Sequence, residues 1–196
     1  MEPHRKAIFV LCVSVLPLMI CTGIVYTILS IYLVDELGFS KSTVGALFAL
    51  GAGMGAVLSP FIGKASDRYG RKPILIGAAA AFLCVFASYA FLTETWQYIL
   101  IMTGEGVAWV SIGTGAMAYI ADISPSKERG RSLSVYEATW NIGWVLGPLT
   151  GGVLADSIGF QRTFLVGTSV IAVSIALLAF VVKETSGARA QAQING

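Results

Sequence analysis

Apolar runs broken by short charged clusters set the pattern of this chain. Residues 7–34, 42–63, 73–93 and 163–182 carry no Asp, Glu, Lys or Arg. Each run is long enough, as a helix, to cross a hydrocarbon core of about 30 Å. Residues 95–121 and 132–155 are also apolar, but each holds one carboxylate, Glu105 and Glu137. The pattern predicts an all-α membrane protein with six transmembrane helices. Residues 1–6 precede the bundle, the bundle occupies 7–183, and 184–196 form a polar tail or the start of a linker. The first run follows His4, Arg5 and Lys6 as a secretory signal would, yet its 28 uncharged residues exceed the roughly 7–15 of such a signal. An uncleaved first span is expected.

Composition agrees with a lipid-facing chain. Of 196 residues, 56% are hydrophobic and 12% charged, about half the charged share of an average soluble domain. Cys12, Cys21 and Cys84 fall inside spans, where a disulfide framework has no place. With the N-terminus inside, eleven Lys and Arg lie in inner segments and two, Lys41 and Arg162, in outer loops. That bias predicts a multi-pass protein of the cell membrane with both ends in the cytoplasm. The net charge of +2 reflects this sidedness, so no nucleic-acid partner is expected.

The segment SPFIGKASDRYG after the second run has an echo in GPLTGGVLADSIG after the fifth. Pro60 matches Pro148 and Gly63 matches Gly151. With one inserted residue, Asp67 and Gly70 match Asp156 and Gly159. Three spans separate the copies, so the second is upside down relative to the first. Two inverted three-helix repeats are a signature of secondary transporters.

The charged cluster GKASDRYGRKP, residues 63–73, reads as a tight turn with anchors. Gly63 and Gly70 allow backbone angles or approaches that a side chain blocks. Pro73 suits the first turn of the next helix. Arg68, Arg71 and Lys72 resist entering lipid, and Asp67 is a salt-bridge partner or an anchor at a helix N-terminus. A merely solvated positive loop explains the cations but not the glycines or the acid.

Glu105 is the strongest candidate for function. It lies nine residues in from Trp96, so it sits about 14 Å deep, near the bilayer midplane. A charge there costs about 3 kcal/mol or more, which makes the carboxyl a candidate proton carrier. Tyr98, Trp109 and Ile112 share its side of the helix by spacing, a wall suited to an apolar or cationic solute. The alternative is a protonated Glu bonded within the bundle. Glu137 and Asn141 lie one turn apart in the fifth span, with Trp140 and Trp144 nearby. At about 7 Å from the inner end, Glu137 is near enough to pair with Arg129 or Arg131, and a structural ion pair is favoured. Thr22, Tyr26 and Ser30 form a polar stripe in the first span that either lines a cavity or bonds its own backbone.

Gly63, Asp67, Arg68, Gly70, Arg71 and Lys72 spell G-x-x-x-D-R-x-G-R-K between spans 2 and 3. This resembles the hallmark cytoplasmic loop of the major facilitator superfamily. GWVLGPLTGG, with Gly143, Gly147, Pro148, Gly151 and Gly152, resembles the span-5 motif of its drug-efflux antiporters. ISPSKERGR resembles the usual connection between spans 4 and 5. The resemblance implies a secondary active transporter that moves a small organic solute by alternating access. It further implies export of a drug-like or amphipathic compound, with protons as a coupling ion. The resemblance also implies a cytoplasmic latch, in which Asp67 and Arg71 hold helix ends together, with Asp122 as partner of Arg71. It covers only half of such a transporter, so the second six-helix bundle is expected from a longer chain or a second copy. The small-residue faces of span 2 (Gly51, Gly55, Ser59, Gly63) and span 5 are expected to meet that bundle, the alternative being packing within one bundle. The chain departs from the R-x-x-Q-G pattern common in span 4 of drug–proton antiporters: Met102 stands where Arg belongs and Glu105 where Gln belongs.

Rival readings are an uptake carrier of the same superfamily and a non-transporting accessory or degenerate protein. An enzyme is not expected, nor a cofactor or metal. The only histidine is His4, outside the first span, and no GKS/T phosphate loop is present.

Overall fold

The computed structural model describes residues 2–185. The chain forms α1 (Pro3–Ile31), continued by one π-helical turn (Tyr32–Glu36), then α2 (Lys41–Tyr69), α3 (Arg71–Tyr89), α4 (Thr95–Ile123), α5 (Arg129–Ile158) and α6 (Phe160–Phe180). Five of these are long and apolar enough to cross a membrane. The exception is α5, which carries Arg129, Arg131, Glu137 and Asp156 among many glycines. The expected tail beyond Thr185, with Arg189, lies outside the described residues.

Helix starts follow local chemistry. Ser40 caps α2 by accepting the Thr43 N–H at 3.1 Å. Glu94 and Gln97 form a reciprocal capping box at α4, which satisfies two otherwise orphaned donors. The predicted turn over 63–73 is shorter than expected. Helix α2 runs to Tyr69 and α3 starts at Arg71, so the whole joint is Gly70, at φ 102°. The equivalent joint between α5 and α6 is Gly159, at φ 83°. The two copies of the sequence echo thus end on the same glycine device, at a φ that side-chain-bearing residues avoid.

Helix α1 is the most deeply buried, packed on α5 and α6, and α2 packs on α4. Exchanging the two triplets converts the α2–α4 seam into the α5–α1 seam, as inverted repeats require. Both seams are built on glycine. A Cβ on Gly55 would meet the Gly106 carbonyl oxygen at 2.9 Å, and one on Gly23 would meet the Gly143 carbonyl oxygen at 2.9 Å. Gly147 and Gly151 likewise rest on Gly23 and Ile24. This corrects the expectation that these small-residue faces await a second bundle. Gly51, Gly55, Gly143, Gly147 and Gly151 are consumed inside this one, because close backbone approach is the main source of packing between helices in lipid. Gly63 and Gly152 have open space around them and make no such approach.

Candidate functional site

The charged cluster at the joint closes around Arg71, whose side chain is 9% exposed. Its Nη2 lies 2.7 Å from Asp67 Oδ1. Nε donates to Asp122 Oδ2 at 2.9 Å and Nη1 donates to Ser66 Oγ at 3.0 Å. One guanidinium therefore ties α2, α3 and α4 together, using the planar fork that Arg supplies and Lys does not. Glu184, just past α6, accepts the N–H groups of Arg71 at 3.1 Å and Lys72 at 3.2 Å. Lys72 Nζ returns the contact by donating to the Ala179 carbonyl at 2.6 Å. Each helix end thus receives the charge its dipole favours. Arg68 stays exposed, its guanidinium 5.4 Å from the Tyr69 ring centroid. Ser66 and the crossed contacts of Glu184 and Lys72 have no counterpart in the sequence reading.

Glu105, on α4, is 2% exposed. Its Oε2 accepts the hydroxyl of Tyr89, the last residue of α3. The Tyr26 hydroxyl of α1 is adjacent, while Oε1 has no hydrogen-bond partner among the described residues. A cavity of ≈ 330 Å³ opens beside it, walled by Tyr26, Phe48, Met102, Trp109 and Trp144 and floored by Gly51, Gly55 and Gly106. The Tyr26 ring sits 5.7 Å from Phe48, 5.6 Å from Trp109 and 5.9 Å from Trp144. The glycines that let α2 approach α4 also leave the floor of this cavity bare.

Some expected wall residues lie elsewhere. Tyr98 and Ile112 are fully buried in the core, and Tyr98 stacks on Tyr89 at 5.9 Å. Thr22 is buried and donates to the Met19 carbonyl, and Ser30 lines no part of the cavity. Tyr26 alone of the span-1 stripe reaches the site. Glu137 makes no ion pair among the described residues, and Arg129 instead donates to the Ala121 carbonyl at 3.1 Å. The expected Glu137 ion pair is therefore absent there. Asn141 donates to the Glu137 backbone carbonyl and faces away from the Glu105 cavity, in a shallow apolar groove on α5. Tyr89, Phe48 and Met102 are site residues that the sequence reading missed.

Near the chain's start, Glu2, His4 and Glu128 bring one ligand atom each within 4.8 Å of one another. Arg5 occupies the same carboxylate, with Nη2 3.1 Å from both Glu128 oxygens. A guanidinium there opposes a metal ion and makes the cluster a tie between the N-terminus and the α4–α5 loop. Hydrogen bonds from His4 and Arg5 hold the Glu128 carboxyl below its ordinary value of 4.5.

A six-helix bundle of two inverted triplets, with a buried acid beside an aromatic cavity and a clasp at one end, has the architecture of a transporter bundle. The chain belongs to the Major Facilitator Superfamily, whose profile matches residues 11–194. It is 34% identical over 146 residues to the class C tetracycline resistance protein of Escherichia coli, covering 74% of this chain and 36% of that protein. It is 32% identical over 157 residues to the quinolone resistance protein NorA of Staphylococcus aureus, covering 78% and 39%. The multidrug resistance protein MdtG of Proteus mirabilis is 31% identical over 156 residues, covering 77% and 39%. These relatives place the chain in the drug-efflux branch, and it spans less than two fifths of the length of each of the three. The fold matches the human organic anion transporter MFSD10 with a TM-score of 0.74 at 15% identity, over 94% of this chain and 49% of that one. It also matches a bacterial homologue of the lysosomal transporter Spinster, with a TM-score of 0.72 at 18% identity, over 91% and 43%.

Proposed function

We propose that this bundle forms one half of a secondary transporter that exports an amphipathic, drug-like organic solute by alternating access, with Glu105 exchanging a proton for the solute. The observation that carries this reading is the Glu105 carboxyl, buried at mid-helix with Oε1 unpartnered beside an aromatic-walled cavity. A buried carboxylate without a cationic partner is costly in lipid, so a proton or a cationic solute is needed to neutralise it. Tyr26, Phe48, Trp109 and Trp144 present ring faces and edges that suit an organic cation. Relatives named for tetracycline, quinolone and multidrug resistance support a solute of this class.

The Arg71 cluster acts as the clasp, releasing when helix ends part during the transport cycle. A second six-helix bundle rests on the exposed apolar row of α5, where Ile142, Val145, Leu149 and Val153 project outward. The bundle sits in the cell membrane with both ends in the cytoplasm, as the distribution of Lys and Arg favours.

The test is solute flux in proteoliposomes carrying the complete transporter, with and without a pH gradient. Glu105→Gln is expected to abolish the stimulation of flux by the gradient. Gradient-driven flux that survives this change at the wild-type rate overturns the assignment of Glu105.

A further inference from the structure

A second cavity, of ≈ 360 Å³, lies on the other side of Trp109, between α4 and α5. Trp109 is the one residue that lines both cavities. Along α4 the cavity faces change at this ring: Met102 and Glu105 belong to the first, Gly113 and Met117 to the second. Antiparallel α5 changes over at the same level, with Trp144 on the first and Trp140 and Glu137 on the second. Trp109 and Trp140 meet edge to face at 5.0 Å, and Trp109 contacts Trp144 at 6.4 Å. The indoles form a partition between two cavities of nearly equal size.

Both cavities share a composition of aromatic wall, one carboxylate and one buried polar atom without a partner. In the first, that atom is Glu105 Oε1. In the second it is the hydroxyl of Tyr136, a residue 1% exposed. Glu137 lines the second cavity and makes no ion pair among the described residues.

We propose that the cavity on the Glu137 side of Trp109 is a second binding station for a monovalent organic cation. Glu137 is its counter-charge, and Trp109 with Trp140 separates it from the Glu105 station. This rests on the reading that the bundle carries a cationic amphipathic solute. Rotation of the Trp109 ring then passes the cation about two helical turns along α4, from one carboxylate toward the other.

The experiment is equilibrium dialysis of labelled tetraphenylphosphonium against the purified chain in detergent, with monodispersity checked by size-exclusion chromatography. The wild type is expected to bind two cations per chain. Glu137→Gln lowers this to one, with the remaining affinity within about threefold of wild type. Glu137→Asp keeps two. Glu105→Gln removes the other site and leaves the Glu137 station. A wild-type stoichiometry of one that Glu105→Gln abolishes overturns the second station and leaves the transport reading standing. Two sites with only the Glu137 site sensitive to mutation overturns the role of Glu105 and keeps the station. Two sites untouched by Glu137→Gln, or no saturable binding, overturns the station.

Discussion

Arg71 and Glu105 are both buried charge-bearing residues, yet their surroundings differ in kind. Arg71 meets Asp67, Asp122 and Ser66 with three of its nitrogens, and Glu184 covers the backbone N–H beside it. Glu105 meets hydroxyls only, and one of its oxygens meets none. The first arrangement answers charge with charge and fixes helix ends in register. The second leaves one carboxyl oxygen without a donor among the described residues, which the proposed function fills with a proton or a cation. Under the proposed function the two buried ionisable groups serve opposite ends: one holds a conformation, the other binds something that comes and goes.

The sharpest way to break this contrast is to remove each group in turn. Arg71→Ala withdraws the guanidinium from Asp122, whose side chain is 8% exposed. Breaking a buried pair from one side costs about 3–5 kcal/mol, seen as a large fall in the thermal midpoint in detergent. Glu105→Gln has no cation to strand, so its midpoint is expected to stay within about 1 kcal/mol of wild type. Equal losses for the two variants would erase the distinction. Tyr89→Phe takes a hydroxyl donor from Glu105 Oε2, and losing a hydrogen bond to a buried carboxyl is expected to cost about 1–3 kcal/mol in stability. No change in the midpoint would mean the hydroxyl is idle.

A pair of glycine variants separates the clasp's backbone from its charges. Gly70→Ala forces a side chain into positive φ and is expected to cost about 1–2 kcal/mol. Gly63→Ala places a methyl in open space inside α2, where alanine is the better helix former by about 1 kcal/mol. A destabilised Gly63→Ala would show that this glycine of the motif has a packing partner beyond the bundle. Glu128→Gln is expected to have the smallest effect. The carboxyl is held low when folded, so its tie to His4 and Arg5 contributes fully above the unfolded value near 4.5 and is lost as pH falls through the lower folded value. The variant should match wild type at low pH and fall slightly behind it near neutrality, measured as the thermal midpoint against pH.

Much of the fold was legible because lipid imposes a simple rule. Charges outside apolar runs marked six helices, and the repeat predicted the shared joint at Gly70 and Gly159. Arg71 and Asp122 were legible through the family motif, since their types and positions carry the clasp. The glycine seams were misplaced for a physical reason. Spacing shows that a face is small, but not which neighbour fills it: α4 took Gly51 and Gly55, and α1 took Gly143, Gly147 and Gly151. Glu137 drew a false ion pair because depth along one helix says nothing of where Arg129 turns. Tyr89 was invisible, because its meeting with Glu105 depends on the register of the α3–α4 hairpin, set by packing across two helices.

The central claim is that Glu105 gives up a proton when a cation arrives. Proton release on binding tetraphenylphosphonium to the purified chain tests it most directly, by titration calorimetry in buffers of different ionisation enthalpy. The wild type should release about one proton per cation bound at the Glu105 site near neutral pH, and Glu105→Gln should release none. Binding without release in the wild type, or equal release from the variant, would contradict the account.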